Sequence, residues 1–324
     1  MFSLFKSKEP DYCPAPPEKE DIERVTLDSL QGAFIGTALN AETAERVTGL
    51  NEIEKRINKK LAQICEADSL DEDVIPNFPK TATELLNELN SDEPDHRKVV
   101  ELIQSDPAIA GNVIKMVNSP MYRVSKSEIT SIERASVLLG NERLEKILMT
   151  VLMKPMMDIK PIYFHMYGKH IWEHSQKTAL AASQLAEHYG ADGFASYFLG
   201  LVHDVGKIIA FKVLVEAFSE HDVIEDPRPI VFVKILQKYS HMLTLKAMDH
   251  WDIPITYTQV LSKLAYAKRF DSLKPQEKVL HEANLYCEVD FLIQQQSMSP
   301  KGAEALVEKF SGDYSMYQAV VPKG

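Results

Sequence analysis

Cysteine is almost missing from this chain. Cys13, Cys65 and Cys287 are the three present, none in a C-x-x-C pair, which excludes a zinc knuckle and a disulfide framework and suits a reducing cytoplasm. Basic charge is also short. The 36 Lys and Arg stand against 47 Asp and Glu, a net charge of −11, so no direct nucleic-acid binding is expected of the surface as a whole. No run approaches the ~20 apolar residues of a membrane span. The opening "MFSLFKSKEPDYCPAPPEKE" lacks the apolar core and small-residue cleavage site of a signal peptide. The expectation is a cytoplasmic protein with no membrane contact. Alternating β-branched stretches with hairpin turns are missing too, which leaves an all-α, multi-helical fold.

What is present is helical patterning broken by proline and glycine. Residues 1–18, with four prolines, read as a disordered tail. Residues 19–70 form an N-terminal helical segment in which Ile53, Ile57, Leu61 and Ile64 make one amphipathic stripe. That stripe either packs on the core or offers a self-association surface. "DSLDEDVIPNFPKT" reads as a linker. Three short helices follow, with caps at Ser91, Asp92 and Asp95 between the first two, Asp106-Pro107 starting the third and Asn118-Ser119-Pro120 stopping it. Two more surround Gly140 and end at Pro155. Helices resume from Tyr163 to about Leu292, broken at 190–193, 226–229, Ile253-Pro254 and Leu273–Pro275.

Histidine is scarce, ten in all, so its placement carries information. His174 sits in a helix of apolar and small residues, "GKHIWEHSQKTALAASQLAEHYG". His203-Asp204 sits in "YFLGLVHDVGKIIAFKVL", which reads as an apolar helix where Leu or Val would ordinarily continue. A helix-turn-helix brings these three side chains into the space between two packed helices. Two imidazoles and a carboxylate suit Fe, Mn, Zn or Mg. A bound ion would activate water for attack on phosphorus, with Lys207 steadying a phosphate oxygen. The same residues can instead hydrogen-bond to one another and plug a helix junction. His165, His170 and His188 show no partner in the sequence, and Trp172, Trp251 and the Met-rich "MTVLMKPMM" read as core.

"HS…LVHDVGK" resembles the HD superfamily of metal-dependent phosphohydrolases, with a His, a His-Asp pair and a distant Asp. "IPNFPKTATELL", "ELIQSDPAIAGNVIKMVNSPMY" and "EITSIERASVLLGNERLEKILM" resemble the N-terminal helices of its HDOD branch, and "HMLTLKAMDHWDIP" its His-then-Trp-x-x-Pro helix. The resemblance covers residues 74–290. It implies two helical lobes, 74–158 and 159–290, meeting near residue 160; residues 291–324, outside it, read as a C-terminal helix or tail. It also implies a bacterial signal-transduction role and makes His241 a further ligand candidate. Departures from the pattern bear on activity. The position of the distant Asp is filled by Asn284, a neutral and weaker ligand. The paired histidines of many relatives are replaced around Lys263, Leu264 and Ala265, and the Gly-Tyr-Pro signature of the cyclic-dinucleotide-cleaving branch is missing.

The expectation is therefore a non-catalytic signalling module with a degenerate metal site, binding no cofactor or only a weakly held divalent ion. Its partner would be a regulatory protein, with a nucleotide as a further ligand. The rival expectation is a phosphohydrolase of nucleotides or cyclic dinucleotides using His174, His203 and Asp204.

Overall fold

The computed structural model describes residues 22, 24–41, 49–67, 75–91, 93–157, 165–219, 228–264, 270–311 and 313–321. The expected tail at 1–18, most of the acidic linker, Asp92, Ala265 and the meeting point of the lobes near residue 160 lie outside them. Among the described residues the chain is helical, with no strand. Much of the punctuation read from the sequence is found among the described residues. Helices α1 (Leu27–Ala38) and α2 (Glu52–Glu66) precede α3 (Lys80–Leu89), α4 (Arg97–Gln104) and α5 (Pro107–Val117). Asp106 caps α5, its carboxylate accepting from Ala108 N at 2.7 Å, with Pro107 in the first turn. Asp95 accepts from Arg97 N at the start of α4. Gly140, at φ 75°, separates α6 (Ile132–Leu139) from α7 (Asn141–Met153).

The second half comprises α8 (His165–Tyr189), α9 (Gly193–Val202), α10 (Val205–Ser219), α11 (Pro229–His250) and α12 (Ile255–Leu264). Then come α13 (Pro275–Gln294), α14 (Pro300–Phe310) and α15 (Tyr314–Val320). Helix α8 is the central pillar, with α9 and α13 packed along it, while α10 lies against α11. Trp251 fixes the end of α11 to the earlier helices: its indole donates to Pro76 O at 2.9 Å and stacks on Phe78.

The N-terminal helices belong to this core. Ile53, Ile57 and Leu61 are at most 7% exposed, and burying each contributes about 1.5–3 kcal/mol. Glu54, fully buried, pairs with Arg228, and Tyr239 Oη donates to Asn58 O at 3.0 Å. Of the two uses expected for the stripe, the chain itself supplies the first, with α2 seated against α10 and α11. One apolar cluster runs from Phe34 through both sets of helices to Leu280, and a second joins α13, α14 and α15 to Leu30 and the end of α8.

Two glycines set how closely the central helices approach. A Cβ on Gly200 of α9 would lie 2.6 Å from Ala179 Cα of α8. One on Gly206 of α10 would collide with the Ser240 carbonyl oxygen of α11. Only a hydrogen side chain fits at either place, and the two glycines flank His203 and Asp204.

Candidate metal centre

The sequence reading puts His203 and Asp204 inside a helix, and here the structure differs. They form a turn between α9 and α10. The break is satisfied locally. Thr244 Oγ1 donates to His203 O at 3.1 Å and accepts from Gly206 N at 3.0 Å, supplying partners for backbone groups at the interrupted ladder. The turn aims both side chains at α8.

There they meet His174. One ligand atom from each of His174, His203 and Asp204 lies within 4.8 Å of the others, and the two imidazole centroids are 5.3 Å apart. Asp204 Oδ2 is 3.5 Å from His174 Nε2 and 3.4 Å from His203 Nε2. Asn284, from α13, completes the group. Its Oδ1 lies 3.0 Å from His174 Nε2 and 2.9 Å from His203 Nε2. The helix assigned to Asn284 from sequence thus does face the centre. His241, the further candidate, is not in the cluster; its Nε2 is buried without a hydrogen-bond partner.

Lys207 is almost fully buried, at 1% exposure. Its Nζ lies 2.7 Å from Asp204 Oδ2 and 3.9 Å from Glu288 Oε1, over the ring of Phe34 at 4.9 Å. Phe34 also packs on His174, with centroids 4.5 Å apart. Neither Phe34 nor Glu288 was singled out from the sequence. Glu288 carried a legible signal, since it stands one turn after Asn284 on α13. Phe34 carried none.

Electrostatics follow from burial. His174 is pushed down to about 3 by desolvation, which outweighs the attraction of Asp204. Burial pushes the Asp204 carboxyl up, but the charges of His203, Lys207 and His174 together hold it well below the usual carboxylate range. Glu288 rises to about 7, chiefly through burial, with Lys207 opposing. His203 Nδ1 faces Gly200 O at 2.8 Å and donates to it. That bond leaves Nε2 as the lone-pair atom facing the cluster, where a cation or the amide group of Asn284 can meet it. The donor set therefore fits one divalent ion, held by His174, His203 and Asp204 with Asn284 Oδ1 beside them.

The fold has counterparts. The HDOD domain family model matches residues 75–264. An uncharacterised protein of Treponema pallidum (strain Nichols) is 24% identical over 213 residues, 63% of this chain and 39% of its own length. The chain thus spans about two fifths of that relative. Among solved structures, an HDOD domain protein of unknown function from Geobacter sulfurreducens superposes with TM-score 0.56 at 17% identity, covering 83% of this chain and 93% of its own. A Shewanella amazonensis SB2B protein, provisionally assigned as a metal-dependent phosphohydrolase, gives TM-score 0.54 at 18% identity over 83% and 98%. At these identities the likeness speaks to fold.

Proposed function

The chain belongs to the HDOD family, and from that premise we propose that it is a non-catalytic signal-transduction module whose HD-type centre has lost the charge needed for phosphoester hydrolysis. The observation that carries this reading is the pairing of Lys207 with Asp204 at 2.7 Å. The one buried carboxylate among the candidate ligands already has its counter-charge, and the remaining oxygen ligand, Asn284, is neutral. A divalent ion would enter with two charges and meet no uncompensated anion, so it binds weakly. Two-metal catalysis needs carboxylates that bridge the ions, and this set has none to spare.

Where an ion is held, His174, His203 and Asp204 hold it, and it would supply polarisation of a water or phosphate oxygen. The protein's own residues do the rest. Gly200 O orients His203 by accepting from Nδ1, Asn284 spans both imidazoles, and Lys207 holds the Asp204 carboxylate in place. On this reading the module works in a bacterial cytoplasm through a regulatory protein partner. No helix of the described residues is long and apolar enough to cross a membrane.

The second reading, a phosphohydrolase acting on a nucleotide or cyclic dinucleotide, is favoured by the Gly200–His203 hydrogen bond, because it presets the tautomer a metal ligand requires. Metal analysis of freshly purified protein, run with a phosphodiesterase assay, separates the two. Substoichiometric metal and no turnover above controls is the expected result. Stoichiometric metal with metal-dependent turnover would establish the second reading.

A further inference from the structure

The centre is closed, and a helix outside the family match closes it. The His174 side chain is fully buried, and those of His203 and Asp204 are 7% and 6% exposed. Phe34 of α1 has no exposed surface. Its ring covers the His174 imidazole, lies over Lys207 Nζ and meets Phe291 edge-on at 5.1 Å. The ring therefore occupies the cation–π position above Lys207, whose ammonium also faces Asp204 and Glu288.

The attachment of α1 is largely apolar. Leu30, Phe34, Ile35 and Ala38 are buried against α8, α11 and α13. Gln237 Nε2 donates to Asp28 O at 2.6 Å, and Thr37 Oγ1 lies 3.4 Å from Ser297 Oγ. Among the described residues no ion pair holds α1. It carries one charged side chain, Asp28.

We propose that α1 is an internal competitor for the centre, with Phe34 as its plug. Docking of α1 and occupancy of the centre by a divalent ion with a phosphate-class anion exclude each other. This rests on the reading of the centre as a weak one-ion site. Two mutually exclusive occupants weaken each other by the same factor. Phe34 then weakens the site for the ion together with its anion, and filling the site with both releases the apolar face of α1 as the signal. An ion alone would be held by His174, His203 and Asp204 and would leave the ring in place, whereas an anion reaching Lys207 would displace it.

Hydrogen exchange on the full-length protein tests this, with manganese and inorganic phosphate as probes. Exchange at residues 27–38 should rise with added manganese and phosphate together, while α10 stays protected. By titration, Phe34→Ala should bind the pair at least tenfold more tightly than the unmodified protein. Phe34→Leu, which keeps most of the bulk, serves if the alanine variant does not fold, and should fall between the two. Binding with no change at residues 27–38, equal affinity in the variants, or no binding by any of these proteins would each overturn the proposal. Turnover of a phosphodiester by the unmodified protein would defeat the functional reading above but not this inference, which stands or falls on the exchange of α1.

Discussion

Lys207 Nζ stands 2.7 Å from Asp204 Oδ2, one helical turn along the chain, and both groups are buried. This pair fixes the charge of the centre. Removing one member leaves the other buried without its counter-charge, a loss of about 3–5 kcal/mol. Lys207→Met should therefore lower stability by that order in urea denaturation, and the freed carboxylate should bind manganese more tightly. A variant as stable as the parent would show that the pair is not coupled.

His203 ties the same carboxylate to Asn284 and to Gly200 O. His203→Ala removes a partner from each, and an unsatisfied buried group costs about 1–3 kcal/mol. Thermal denaturation should register that loss. An unchanged midpoint would mean that the junction holds without the imidazole.

The N-terminal helices are part of the same core, which Ile57 tests with one substitution. It is 1% exposed among residues of α10 and α11. Ile57→Ala should destabilise the whole chain by about 2–5 kcal/mol in a single transition. A separate early transition for residues 24–67 would show that the segment folds apart from the rest.

Glu282, on α13, has both carboxylate oxygens buried without a hydrogen-bond partner. Burial raises it from 4.5 to about 7, against the nearby Tyr189 and Tyr286 hydroxyls. The folded state then binds this proton more tightly than the unfolded state. The contribution is fully present below 4.5 and lost as pH rises toward 7. His174 acts in the opposite sense, lowered from 6.5 to about 3, so its contribution is lost as pH falls through that window. Comparing Glu282→Gln with the parent isolates Glu282. The melting temperature of the variant, relative to the parent, should rise between pH 5 and pH 8. A constant difference would place the carboxylate in a wet or paired setting.

The helical class, the stops at Gly140, Gly190 and the prolines, and the His174–His203–Asp204 grouping were legible because each rests on local chemistry. Proline fixes a helix start, and histidine in an apolar run has few reasons to be there. The turn at His203-Asp204 was not legible. Apolar residues flank it on both sides, and its backbone partners come from Thr244 on another helix. Phe34 was invisible for the same reason. Nothing near it in sequence distinguishes it from an ordinary core phenylalanine, and its meaning depends on α1 lying across α8. Lys207, read as a phosphate contact, acquires a different setting from the carboxylates around it.

The central claim is that Asn284 leaves the centre one charge short. Asn284 Oδ1 lies within 3.0 Å of both imidazoles, so Asn284→Asp places a second anion where a cation would bind. Calorimetric titration of manganese into the parent and into Asn284→Asp is the direct measurement. Weak binding by the parent and at least tenfold tighter binding by the variant, with no phosphodiester turnover by the parent, is the predicted result. Tight binding and metal-dependent turnover by the parent would contradict it.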